Sequence, residues 1–212
     1  MLTEELLVSQ HTKPGLSNIS LSLYKNFYVD ILMKRAFKYT FEDDSRIDVY
    51  FWQYGLYHLL GIQHIDYKNV TKENFFDKIN DGLSFDSFKS DKKTKHRFRD
   101  MSDRIELFSC VYHTLKFARV FRVPSSSVKG TANVKVDYLL YQEIENRGLN
   151  LGLKIINGTM APITILIDRE NHKGRHIDWN YEKIVKQLEI IDTKSNIIIE
   201  TLIYSDSFIV SH

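Results

Sequence analysis

The dipeptide Asn157-Gly158 constrains this chain more than any other pair of residues. It lies between LNLGLKII (149–156) and MAPITILID (160–168), two runs that read as strands. Asn and Gly both tolerate the positive φ of a two-residue hairpin turn, so the runs are predicted to pair antiparallel. VKVDYLLYQEI (134–144) precedes them as a third strand, and ARVFRV (118–123) as a fourth. Along 134–144, Lys135, Asp137, Leu139, Tyr141 and Glu143 fall on one face, with Val136, Tyr138 and Leu140 on the other. Thr164 alternates against Ile163, Ile165 and Ile167, which points it away from their side.

The earlier part of the chain reads mainly as helix. Leu23, Phe27 and Ile31 recur every fourth residue, so an amphipathic helix is expected from an N-cap at Ser17 or Ser20 to about Arg35. FKYTFED (37–43) and RIDVYFW (46–52) then form a hairpin around Asp43-Asp44-Ser45. QYGLYHLLG (53–61) is a short helix stopped by Gly61, Thr71 caps a helix running to Asn80, and 84–99 is a polar helix. SDRIELFSCVYHTLKF (102–117) is predicted as one helix with Met101, Ile105, Phe108, Tyr112 and Leu115 as its apolar stripe. EKIVKQLEII and NIIIETLIY make a last hairpin across Asp192-Thr193-Lys194-Ser195-Asn196. The class is therefore α+β: N-terminal helices and a hairpin, followed by a mainly antiparallel β-sheet. Residues 1–15 are taken as a loose lead-in, 16–170 as one domain, and 171–212 as a C-terminal β-hairpin extension packed on it.

Several function classes drop out. No apolar run approaches the roughly 18–20 residues of a membrane helix, and the acidic start MLTEELLVSQ lacks the basic opening of a secretory signal. A cytoplasmic protein with no membrane contact is expected. The single cysteine, Cys110, excludes an internal disulfide and a multi-cysteine zinc site. The histidines show no HExxH spacing, so neither a metal nor a cofactor is expected. GxxxxGK[ST], GxGxxG and GxSxG are absent; Ser125-Ser126-Ser127 after Pro124 reads as a loop, and Asp43-Asp44 as a turn. The net charge of +2 conceals a segregation: about −3 over 1–88, +8 over 89–136 and −3 over 137–212. Such a block suits a polyanion, because neutralised phosphates release counterions. Lys92, Lys93, Lys95, Arg97, Arg99, Arg119, Arg122 and Lys129 are the nucleic-acid-binding candidates. The plainer reading is a solvated surface that serves solubility.

Taken in order, YHLLGI (57–62), DRIELF (103–108), VKVDYLLYQEI and the GLKI…APITILI pair resemble a phage-associated branch of the barnase–EndoU–colicin–RelE (BECR) ribonuclease superfamily. The resemblance spans roughly 22–168 and leaves the tail from about 172 outside it. It implies a helix-plus-four-stranded-sheet fold and metal-independent RNA cleavage by 2′-OH attack. That chemistry needs a base, cationic donors for the charged phosphorane and an acid for the leaving oxygen. The resemblance implies His58, Arg104, Lys135, Tyr141 and Thr164 as catalytic candidates. Each also has a structural reading: His58 as a hydrogen-bonded histidine among leucines, Arg104 as an ion-pair partner, Lys135 as a solvated strand residue, Tyr141 as core, Thr164 as a good β-former.

The function expected is an RNA endonuclease, a toxin or phage-related effector or defence protein acting on mRNA or tRNA. A protein inhibitor or antitoxin would hold it in check. The alternative is a non-enzymatic nucleic-acid-binding or phage–host protein-interaction module that retains the fold, with Ile197-Ile198-Ile199 offering an edge for a homodimer.

Overall fold

Short polar caps start the first helices. A computed structural model of the chain describes residues 2–124, 128–131 and 134–204, so Ser125-Ser126-Ser127 lie outside the described residues. Thr3 caps α1 (Glu4–Ser9) and Ser20 caps α2 (Leu21–Asn26), each hydroxyl accepting a first-turn amide. The stretch expected as a loose lead-in thus contains a helix, and its Leu7 is fully buried. The helix expected to reach Arg35 widens into a π-helical segment, Phe27–Leu32, and the chain is already strand at Arg35. The wider turn keeps Phe27, Tyr28 and Leu32 all buried.

The predicted first hairpin is β1 (Arg35–Phe41) and β2 (Arg46–Tyr50), with Phe37 opposite Val49 and Tyr39 opposite Ile47. Seven short helices follow: α3 (Gly55–Leu59), α4 (Ile62–Ile65), α5 (Phe75–Asn80), α6 (Phe85–Ser90), α7 (Lys95–Asp100), α8 (Ser102–Leu107) and α9 (Val111–Phe117). Thr71 does not cap α5. Its amide donates to the Asn74 side chain at 2.9 Å, and the helix begins at Phe75. The single helix expected over 102–117 is α8 and α9 joined by a 3₁₀ turn, Phe108–Cys110. Ile105, Phe108, Tyr112 and Leu115 are nonetheless all buried, because the tighter turn shifts the phase without breaking the stripe. Cys110 is buried and free.

The remaining strands are β3 (Arg119–Arg122), β4 (Tyr138–Ile144), β5 (Arg147–Ile156), β6 (Thr159–Asp168), β7 (Glu182–Lys183), β8 (Val185–Asp192) and β9 (Ile198–Ile203). They form one sheet in the order β7-β3-β4-β5-β6-β2-β1-β8-β9. Asn157 and Gly158 both take positive φ, 51° and 79°, as the β5–β6 turn demands. The ladders are antiparallel except between β2 and β6, which meet in parallel at the pair Val49 and Met160. Beyond that pair β6 leaves β2, and α3 and α8 pack against it.

The two faces of the sheet differ. Phe37, Tyr39, Leu140, Leu149, Leu151, Ile165, Leu188 and Ile190 join the helices in the main core. The other face carries a smaller cluster: Phe121, Val128, Val136, Leu139, Tyr141, Leu166 and Ile177. The segment after β6 lies over that cluster. Among the described residues no helix is long and apolar enough to cross a membrane.

Leu7 ties α1 to the core, so Leu7→Ala is expected to cost about 2–5 kcal/mol through lost burial and a residual cavity. Urea unfolding followed by far-UV circular dichroism measures it. A midpoint equal to that of the wild type would show that α1 contributes nothing to the domain.

Candidate active site

The departure of β6 from β2 leaves room for a cleft, and Arg104 of α8 reaches into it. Gly61 makes the approach possible. A Cβ at Gly61 would stand 2.8 Å from Arg104 Nη1 and 2.9 Å from Met101 Sδ, and its φ of 73° itself favours glycine. The glycine of the H-L-L-G element thus seats the guanidinium. Burial pushes the Arg104 pKa down to about 10, and its Nη1 has no hydrogen-bond partner within the described residues. A cation held this way is poised to accept an anion.

The cleft encloses about 500 Å³. Arg104, Asp100, Met101 and Asp103 form one wall, and Leu166, Ile167, Arg169, His172, Arg175 and His176 form the other, with Thr131 at the rim. Its acids are engaged elsewhere: Asp103 with Lys13 at 2.7 Å and Arg147 at 3.5 Å, Asp100 with His96 at 3.0 Å. Among the described residues neither Arg104 nor Arg169 has an ion-pair partner. The lining is therefore cationic in effect.

Behind the second wall lies a buried polar cluster. Asn150 and Asp168 are fully buried on neighbouring strands, and Asn150 Nδ2 donates to Asp168 Oδ2 at 3.1 Å. His176 is also buried, with Nε2 at 3.3 Å from Asp168 Oδ1 and Nδ1 at 3.0 Å from the Lys129 carbonyl. Tyr141, paired with Asn150 in register, donates its hydroxyl to Glu143 at 3.0 Å, and Lys173 donates to the same carboxylate at 2.7 Å. Burial raises the Tyr141 pKa, and the neighbouring Glu143 and Asp168 raise it further.

The five catalytic candidates occupy different places. Only Arg104 lines the cleft. His58 on α3 stacks on Trp52, ring centroids 5.8 Å apart, and meets Tyr57 edge-on. Burial, then the Lys72 charge, lowers its pKa. Tyr141 and Thr164 share the second face of the sheet. Thr164 lies opposite Gly152, whose missing Cβ would approach its methyl to 2.7 Å. Thr164 points away from Ile165 and Ile167 as expected, but Ile163 joins its side because the β5–β6 register shifts between Gly152 and Leu153. Lys135 is exposed and precedes β4, which begins only at Tyr138. The expected face-sharing with Leu139 and Tyr141 fails there, because a bend at Asp137 puts Val136 into their cluster instead.

The basic candidates divide similarly. Lys92, Lys93, Lys95, Arg97 and Arg99 are exposed on α7 and the turn before it, with Arg97 paired to Asp66 at 2.8 Å. Arg119 donates Nε to Glu182 at 2.6 Å and lies over the Trp179 ring at 4.6 Å. Arg122 and Lys129 line a second cavity of about 300 Å³, with Phe121, Leu139 and Tyr181; His176 borders both cavities. Sequence reasoning missed Asn150, Asp168, Arg169, His172, Arg175 and His176 as site residues. Their one signal was the density of charge and histidine in 172–176.

A family model described as phage-Barnase-EndoU-ColicinE5/D-RelE like nuclease 4 matches residues 24–206. The match runs through the tail that the sequence resemblance left uncovered. No curated protein and no solved structure matches the chain.

Burial lowers the pKa values of His58, His64 and His113. A folded value below the unfolded one near 6.5 gives stability that is whole above pH 6.5 and is lost as pH falls through the folded values. The urea midpoint is therefore expected to drop between pH 7.5 and pH 5, above the range in which the lowered carboxylates of Asp43 and Asp103 titrate. His58→Gln should shrink the drop. An equal drop in wild type and variant would show that His58 keeps its solution pKa.

Proposed function

We propose, from the premise that this chain belongs to the phage-Barnase-EndoU-ColicinE5/D-RelE like nuclease family, that it is an endoribonuclease cleaving by attack of the ribose 2′-OH without a metal ion. The observation that carries the reading is the partly buried guanidinium of Arg104, its Nη1 without a partner, sharing one cleft with Arg169, His172 and Arg175. The scissile phosphate sits there. Arg104 and Arg175 donate to its non-bridging oxygens and neutralise the dianionic phosphorane, the task for which planar guanidinium forks are suited.

A base takes the 2′-OH proton, the 2′-oxygen attacks the adjacent phosphorus, and an acid protonates the departing 5′-oxygen. The products are a 2′,3′-cyclic phosphate and a 5′-hydroxyl. Of the two histidines on the lining, His176 is buried and held at both ring nitrogens, whereas His172 is exposed and its ring makes no hydrogen bond within the described residues. His172 is the assigned proton carrier, because its imidazole is the one on the lining left free to exchange a proton with substrate. His58 stands three residues before the glycine that seats Arg104 and is the competing imidazole. Tyr141 and Thr164 lie off the lining, on the second face of the sheet, and take no step in this chemistry. The exposed lysines and arginines of 92–99 adjoin the Asp100 end of the cleft and guide the polyanion to it.

Total RNA and a defined tRNA incubated in EDTA test this, with products resolved by end group. EDTA-resistant fragments ending in 2′,3′-cyclic phosphate are expected. Arg104→Ala should lower kcat/KM by about 10²–10³-fold, as for loss of one donor to a developing oxyanion. His172→Ala should lower it by about 10²–10⁴-fold, and His58→Ala by less. The reverse order would move the proton-carrying role to His58. Intact RNA across pH 5–9, with salt-sensitive RNA binding retained, would instead support a binding module built on the basic surface.

A further inference from the structure

Asp168 is the most buried charge of the second face. It closes β6 and is fully inaccessible, and a carboxylate so placed persists only where donors and cations surround it. Oδ2 accepts from the Gly174 amide at 2.9 Å and from Asn150 Nδ2 at 3.1 Å. Oδ1 faces Arg175 Nε and His176 Nε2, each at 3.3 Å. Gly148 supplies the room, since a Cβ there would come within 3.0 Å of Asp168 Cβ and 2.9 Å of the Tyr141 ring.

These contacts converge on one short stretch of backbone. Gly174, with φ of 71°, turns the chain immediately before Arg175 and His176. His176 is held at its far nitrogen by the Lys129 carbonyl, and Arg175 Nε donates to His176 Nε2 at 3.1 Å. The Arg175 side chain is still about half exposed, and its Nη groups have no partner within the described residues. One edge of the guanidinium is anchored and the other faces the cleft.

We propose that Asp168 is a positioning residue of the cleft: its buried carboxylate fixes residues 174–176 so that Arg175 presents its outer nitrogens to a substrate phosphate. The inference rests on the nucleic-acid reading of the cleft and adds a residue that acts only through its neighbours.

The test is binding of a single-stranded 2′-deoxy oligonucleotide to the full chain; the probe lacks the nucleophile and reports affinity alone. If charge alone mattered, deleting a carboxylate near the phosphate would strengthen binding. Positioning demands the opposite sign. Asp168→Asn is expected to weaken binding roughly tenfold, as for a lost charge-assisted hydrogen bond. Arg175→Ala should match it, and the double variant should be no weaker than either. The slope of log affinity against log salt should fall by about 0.7, one single-strand phosphate contact. Arg175→Lys keeps the charge but cannot reach carboxylate and phosphate together, so it should bind as weakly as Arg175→Ala. Unchanged or tighter binding by Asp168→Asn overturns the proposal, as does wild-type affinity in Arg175→Lys. Should Asp168→Asn fail to fold, the exposed Arg175 pair decides alone. A wild type that binds the probe but leaves RNA intact sinks the ribonuclease and leaves this proposal standing; one that cleaves RNA but does not bind the probe overturns this proposal and leaves the ribonuclease standing.

Discussion

Pairing between β2 and β6 ends where it begins, at Val49 and Met160, and much of the molecule follows from that stop. On either side the strands are ordinary antiparallel ladders: β7, β3, β4, β5 and β6 in one half, β2, β1, β8 and β9 in the other. Each half turns one set of alternate side chains toward the helices, so a single core forms across the junction. Past Met160 the outer edge of β6 needs another partner, because an unpaired strand edge exposes backbone donors and acceptors. Helices α3 and α8 lie against it instead. Helices cannot follow a strand edge closely, and the mismatch leaves the cleft into which Arg104 projects.

Most of the fold was legible because its periods are strong. The β1–β2 and β5–β6 hairpins follow from alternation and from turn residues that accept positive φ. Where the sequence misled, a local irregularity had changed the phase. The π-helical turn at Phe27–Leu32 consumes an extra residue and ends the first helix early. The bend at Asp137 reverses which of Lys135 and Val136 faces Leu139 and Tyr141. The register shift at Gly152 brings Ile163 and Thr164 to one side. None of these carries a compositional signature.

The site was less legible for a different reason. Arg104 could be picked from DRIELF, but its lack of a partner depends on Gly61, more than forty residues earlier in the chain. Asp168 reads as the last polar residue of a strand, and His176 as one of several charges in a loop. Only the fold of 169–176 back over β5 and β6 makes them neighbours. Contacts distant in sequence and made by common residue types leave no pattern to read. The charge block at 89–136 was visible, yet the structure commits part of it: Arg119 to Glu182, Lys116 to Glu200, Arg97 to Asp66. An exposed pair such as Arg97 with Asp66 contributes only about 0–1 kcal/mol, so a phosphate competes with it readily, whereas the part-buried Lys116 with Glu200 is held more firmly.

Buried polar atoms without partners also have a location. Six buried polar side-chain atoms among the described residues make no hydrogen bond; Arg104 Nη1, Asn150 Oδ1 and Asp168 Oδ1 stand on or behind the walls of the cleft, and Trp52 Nε1, Gln142 Oε1 and Arg147 Nε are the others. Each such group costs about 1–3 kcal/mol relative to a satisfied one. Apolar residues of similar shape would remove that cost and pack the sheet face more simply, as replacement of buried ionic groups often does. A domain evolved for stability alone has no use for a partly buried, unpaired guanidinium facing a hollow and a buried carboxylate steering a second one toward it. The expense is intelligible if the cleft receives an anion, because the same low dielectric that penalises the free protein strengthens every contact to a phosphate that displaces the water.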